Sequence, residues 1–557
     1  MGKAYSRIAG FMILILMMSI FLSGCGKSQQ TSGTKQGNQS GDTGELHLVS
    51  MKDVPTLDEA HATDSASFQV LYMTNAGLTR LDHGKVTWDM AEGKPQVKNN
   101  GKTYIFKIRN SAKWSDGSPV TANDFVYAWQ REMNPKTGAE YNYIYSAANI
   151  KNAAKIMDKK DPLFGKVNQL GIKALDKHTL QIDLETPTPY FLNLLSTPPF
   201  FPEKEAFVKK QGKQYAQEPD KLLYNGPYVL SKWDHGAGWH YKRNPNYWHA
   251  KSIYINDVDV KVTKNMSTAV NIYKTGKADL IDLDSEYINQ FKNTNEFHKA
   301  YNSKMSFLSL NIKGNKALQN KNIRQAISMA INRKDLTTDL LQDGSIPAKY
   351  IVPKQFVKGP DGKDFRASAP NGYLLGGKKD AKNLWDKGKK ELGVKKLQLD
   401  YLTSDDETAT KFTEYVANQL ETTLDGLKIN IVKLPYGELL KREDNGDFGI
   451  LNAGWSPDYN DPMTYLEMFT SDNDMNKQGY NDPKFDKLIK QAKQMGDQPD
   501  KRWKDLQEAE KVLITDAPII PLYQQGKAYV QKSYVEGIER PLFGPDIDWL
   551  DAKIVRH

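Results

Sequence analysis

"TYIFKIRNSAKWSDGSPVTANDFVYAWQREMNP" (Thr103 to Pro135) contains the change of period on which the fold reading rests. Its first residues, within "KTYIFKIRN", alternate apolar and polar, which predicts a half-buried strand. Asp116-Gly117 marks a turn, and Thr121 followed three residues later by Asp124 has the form of a helix N-cap pair. Phe125 and Trp129 then share one face of the helix that this pair would start. A strand, a turn and a capped helix follow one another within about thirty residues.

The same alternation of periods continues outward. "ELHLVS" (Glu45 to Ser50) predicts a strand. Ile323, Ile327, Ala330 and Ile331 predict a helix, and "KLQLDYL" (Lys396 to Leu402) a strand. Phe412, Val416, Leu420 and Leu424 predict the next helix, followed by strands in "LKINIVKL" and "DFGIL". Trp503, Leu506 and Leu513 predict a last helix that stops before Pro518. Strands alternating with helices make an α/β body. At 557 residues the chain exceeds a single ordinary core and should divide into two or three domains.

The first residues read differently. Lys3 and Arg7 precede "IAGFMILILMMSIFL" (Ile8 to Leu22), and small residues follow in "SGCG". A basic start, an apolar run and small residues at its end predict a secretory signal over residues 1–24. The chain's single cysteine, Cys25, closes "LSGC", which resembles the bacterial lipobox, whose cysteine is lipidated. Residues 25–44, "CGKSQQTSGTKQGNQSGDTG", are polar and aperiodic and predict a flexible tether. The expected location is therefore the extracytoplasmic face of a bacterial membrane, held there by lipid.

Several chemistries are absent from the sequence. One cysteine excludes a disulfide framework and any thiolate metal site. The nine histidines are scattered without metal-ligand spacing, so no metal or other cofactor is expected. A net charge of +9 is spread along the chain rather than gathered into a nucleic-acid arm. Walker A, dinucleotide and G-x-S-x-G patterns are missing. Binding is expected, and an enzyme is not.

A family resemblance supplies the detail. Thr103–Pro135 resembles the signature region of the peptide/nickel group of solute-binding proteins, which serve ABC importers. The similarity continues through "NGPYVLSKWDHGAGWHYKRNPNYW" (Asn225 to Trp248) and "LNIKGNKALQNKNIRQAISMAINR" (Leu310 to Arg333), then "NAGWSPDYNDP" (Asn452 to Pro462) and the final "KIVRH". The resemblance is nearest to oligopeptide-binding proteins and covers Glu45 to His557. It implies a two-lobed periplasmic-binding-protein-like fold of type II, with an additional inserted domain. Lobe I would comprise residues 45–76, 201–302 and 525–557, the additional domain 77–200, and lobe II 303–524. The chain would cross between lobes near Tyr301–Phe307 and Pro521–Gln525. It further implies a monomer that binds an oligopeptide, delivers it to membrane permease subunits, and has no nucleic-acid partner. A receptor for one peptide pheromone, or a nickel or other small-ligand subunit, would use the same scaffold.

The resemblance also assigns roles. In the family's W-x-x-D-Y motif the acid holds the peptide's α-amino group, and Asp458 stands there. Gly454, Trp455 and Ser456 match the segment that pairs with the peptide main chain. Thr63, Asp64 and Ser65 match the segment facing the other peptide edge, and Tyr141 and Tyr436 match aromatic walls. Asp461, before Pro462, reads as turn chemistry. Where the relatives carry basic residues for the peptide carboxylate, this chain has Glu407, Glu443 and Asn452. Acids repel a carboxylate, so these positions are not expected to hold the C-terminus. Longer peptides would run on to solvent, or another basic residue, such as the neighbouring Arg442, would take over.

Overall fold

The computed structural model describes residues 44–555, apart from residues 406 and 474 and the side chains of residues 407, 408, 436, 437 and 440. The leader, Cys25 and the tether lie outside the described residues. Among the described residues no helix is long and apolar enough to cross a membrane.

A mixed sheet of 11 strands organises the chain. Its spatial order runs Leu427–Leu434, Leu397–Ser404, Ile450–Trp455, Phe297–Leu310 and Ile519–Gln531, then Leu280–Leu283, Glu45–Ser50, Asp257–Val262, Gly238–Arg243 and Tyr228–Asp234. Ile346–Pro347 pairs on the side of Ile519–Gln531. At one end Leu397–Ser404 pairs in parallel with both of its neighbours, a pairing that needs a crossover such as the helix Glu407–Thr423. Toward the other end Glu45–Ser50 runs parallel to Asp257–Val262 and Leu280–Leu283.

The two ends of the sheet meet on a pair of long antiparallel strands, Phe297–Leu310 and Ile519–Gln531. Their register breaks twice, between Tyr301 and Met305 and between Ser306 and Phe307. Buried Gln524 braces the break, its amide donating to the carbonyls of Asn302 (3.1 Å) and Lys354 (3.2 Å). Such breaks in a ladder bend the strand and increase its local twist.

A separate four-stranded antiparallel sheet pairs Gln96–Lys98, Thr103–Lys107, Thr179–Asp183 and Ile172–Asp176 in that order. The helix Ala122–Glu132 starts at the capping box read from Thr121 and Asp124. Asp124 also accepts from the Trp114 indole (3.2 Å), so the cap ties the preceding turn to the helix. Phe125 and Trp129 are fully buried. The chain enters and leaves this region side by side: Asn225 accepts from the amide of Ala76 (3.0 Å) and donates to its carbonyl (2.8 Å). Gly226 lies so close that a Cβ would stand 2.6 Å from the Asn75 nitrogen. That approach explains the glycine in "NGPY".

Two expectations need correction. The predicted strand "DFGIL" begins only at Ile450 and continues through Asn452, Ala453 and Gly454 to Trp455. Pairing with Phe297–Leu310 overrides the turn-like composition there. The helix around Ile323 ends at Ala330, and Ile331 is already extended.

Candidate functional site

A cavity of about 350 Å³ opens beside the broken ladder, lined in part by Asn302 and Ser303. Its walls come from segments far apart in sequence. Thr63, Asp64, Ser65 and Tyr141 line it, as do Ser456 and Asp458. These are six of the residues singled out above.

Each wall has a local cause. Asp64 caps the helix Ser65–Thr74: one carboxylate oxygen accepts from the amides of Ala66 (2.9 Å) and Ser67 (3.0 Å), the other from the Ser67 hydroxyl (2.6 Å). Its side chain is thus committed to the helix, while its neighbours Thr63 and Ser65 are exposed. Tyr141 sits in the short turn Glu140–Asn142 and packs edge-on against Phe68, with ring centroids 5.3 Å apart. Burial, and then the charge of Asp458, push its phenol up to about 12.

Opposite, the chain leaves the sheet after Trp455. The Asp458 amide donates to the Thr464 hydroxyl (3.1 Å), and Tyr459 is buried in a stack on Tyr190 (4.3 Å between centroids). Asp458 is held half-buried between them. Burial, opposed by a hydrogen bond from Tyr143 and helped by the charge of Glu467, raises its carboxyl from 3.8 to about 6. No cation acts on it among the described residues. A carboxylate drawn out of water without a positive partner is costly. Among the described residues no Lys or Arg lines the cavity.

Gly454 and Trp455 end the adjoining strand without lining this cavity. Trp455 is half-buried, with its indole 3.5 Å from the Thr464 hydroxyl. Tyr436 begins the helix Tyr436–Asp444, and its side chain, like that of Glu407, lies outside the described residues. Asp461 does accept from the amide of Met463 (2.9 Å) as a turn acid would. It also forms a buried two-point pair with Arg502 (2.7 and 2.8 Å), which sequence reading did not show.

Of the positions not expected to hold a carboxylate, Asn452 is occupied and Glu443 acidic, and the neighbouring candidate Arg442 is itself paired. Asn452 accepts from the Tyr401 hydroxyl and donates to Thr413 (2.8 Å). Arg442 is turned to Asp447 (2.9 Å), and burial raises the Glu443 carboxyl. Sequence reading also missed Phe68, Tyr143 and the segment Pro541–Asp546, all at or beside the cavity. Tyr143, two residues beyond Tyr141 and turned to the same acid, was the most accessible of these. Among the described residues two groupings have metal-ligand spacing: the exposed Asp82 and His83 with half-buried Glu539, and the buried Asp58, Glu59 and Glu203. In the second, Arg131 already pairs with Asp58 (2.6 Å) and Glu203 (2.7 Å).

The sequence pattern of bacterial extracellular solute-binding proteins, family 5, middle region, matches residues 85–477. The chain belongs to this family. Its members work outside the cytoplasm. The dipeptide-binding protein DppE of Bacillus subtilis is 31% identical over 545 residues, 97% of this chain and 98% of that protein. A solved oligopeptide ABC transporter substrate-binding domain from Bacillus anthracis is 39% identical, with a TM-score of 0.76, covering 92% of this chain and 99% of that one. Listeria monocytogenes OppA bound to peptide is 35% identical, with a TM-score of 0.75 and the same coverage. The periplasmic-binding-protein-like α/β fold expected from the sequence is the fold of the family.

Proposed function

We propose that this family member captures oligopeptides in the cleft between two lobes and delivers them to the permease of an ABC importer. Asp458 carries the reading: a half-buried carboxylate with no cationic partner among the described residues, facing a cavity. A peptide's α-ammonium group supplies the missing charge, and charge-assisted bonds in a closed cleft are strong and directional. Gly454 to Ser456 and Thr63 to Ser65 offer main-chain edges for an extended ligand, so most of the affinity is independent of its side chains. Tyr141 and Tyr436 wall the ligand. The lobes comprise residues 45–76, 201–302 and 525–557 against 303–524, with 77–200 as the additional domain, and they pivot at the register breaks of Phe297–Leu310. Anchoring through a lipid on Cys25, a monomeric state and the absence of catalysis belong to the same reading.

Mass spectrometry of ligands released by denaturing the purified protein tests it. Intact peptides of varied sequence are the expected result. A single peptide species would instead mark a dedicated signal receptor, and a bound metal or non-peptide solute would overturn the reading.

A further inference from the structure

Glu407, Glu443 and Asn452, where the resemblance implies basic residues, bring no positive charge to a ligand carboxylate; Lys304, on another strand, carries one. Lys304 lies on Phe297–Leu310, two residues before Ser306, which pairs with Gly454. Residues two apart share a face of a sheet, and the Lys304 side chain leans over Gly454: a Cβ there would stand 3.2 Å from Lys304 Cε. Its amide is fixed by the Asn302 side chain (2.8 Å), and Asn302 lines the Asp458 cavity. Lys52 lines an adjoining cavity of about 230 Å³ that shares Ser65, Gln69 and Asp546 with the first. Among the described residues neither lysine has an acidic partner. Lys304 is open to solvent yet surrounded by protein. That partial desolvation, and then repulsion from Lys52, lowers its pKa.

We propose that Lys304, supported by Lys52, is the anchor for a ligand carboxylate in this chain. The inference rests on the peptide-binding reading above. An extended peptide advances about 3.3 Å per residue, so one with its amine at Asp458 and its chain along Ser456 and Gly454 brings roughly its third or fourth residue beside Lys304. The group met there is either the C-terminal carboxylate of a short peptide or an acidic side chain in a longer one. The two lysines repel each other until a carboxylate lies between them, so they favour an anionic ligand over a neutral one. The anchor would then lie on Phe297–Leu310 rather than at Glu407, Glu443 or Asn452.

Calorimetry on the wild-type chain and a Lys304→Met variant separates the sources. The probes are trialanine, trialanine amide, and alanine pentapeptide amides with Glu or Gln as third residue. The wild type is expected to prefer at least one acid over its neutral counterpart by about tenfold, and Lys304→Met to abolish that preference. Which contrast collapses identifies the carboxylate. Unchanged affinity of the variant for the Gln pentapeptide amide shows that its cleft is intact. Equal acid-to-neutral ratios in the two proteins would overturn the proposal while leaving peptide capture standing. Failure of the wild type to bind any of the four would overturn the functional reading and this inference with it.

Discussion

Asp458 makes opposite demands on the free and the occupied protein. Burial raises its carboxyl above the ordinary 3.8, to about 6. The folded state therefore favours the proton, and stability is lost as pH rises from about 4 through 6. Asp458→Asn should then raise the melting temperature of the ligand-free protein at pH 7 and leave it unchanged at pH 4. The same substitution should weaken peptide binding by about 2–5 kcal/mol. Affinity should also fall in acid, by about tenfold between pH 7 and pH 5, as the carboxylate takes up its proton. Tyr143 donates to this carboxylate, so Tyr143→Phe should move that acid limb to higher pH. The W-x-x-D-Y motif is what singles out Asp458 in the sequence. Its missing counter-charge was not legible there, because that depends on every group packed around it. Lys304 was illegible for the same reason: nothing local distinguishes it from the other lysines of a basic chain.

Helices whose ends are written into neighbouring residues were the easiest elements to read. Thr121 and Asp124 cap Ala122–Glu132 as their spacing predicts. Asp124→Ala removes both the cap and the partner of a buried indole, and should cost about 2–3 kcal/mol in a denaturant melt without altering peptide affinity. The strand Ile450–Trp455 was harder, since Asn452 and Gly454 favour turns. What holds them extended is a partner strand about 150 residues earlier, Met305 opposite Trp455 and Ser306 opposite Gly454. The same pairing brings Lys304 over Gly454. A composition that reads as a loop is, in the folded chain, the end of a paired strand.

Across the whole molecule, the cavity joins residues 63–65, 141, 302–303, 456–458 and 541–546. The family resemblance pointed to three of these segments; Pro541–Asp546 has no motif to announce it. Buried charge is also a property of the assembled chain. Asp58, Glu59, Glu132 and Glu203 gather around Arg131, with Tyr215 donating to Glu59 (2.8 Å). Burial, and then Asp58, push Glu59 up to about 7, and burial first raises Glu132 and Glu203 as well. Raised carboxyls favour the folded state in acid, so this cluster should lower stability as pH rises from about 4.5 through 7. Glu59→Gln should flatten that fall in melting curves taken at pH 5 and pH 8.

The central claim is that the cleft recognises a peptide by its amino end at Asp458. Calorimetric titration of one peptide in free and N-acetylated form tests it most directly, since acetylation removes the positive charge and leaves everything beyond the amino end unchanged. The expected result is a loss of at least about a hundredfold in affinity on acetylation, absent in Asp458→Asn. Equal affinities for the two forms in the wild-type protein would contradict the claim.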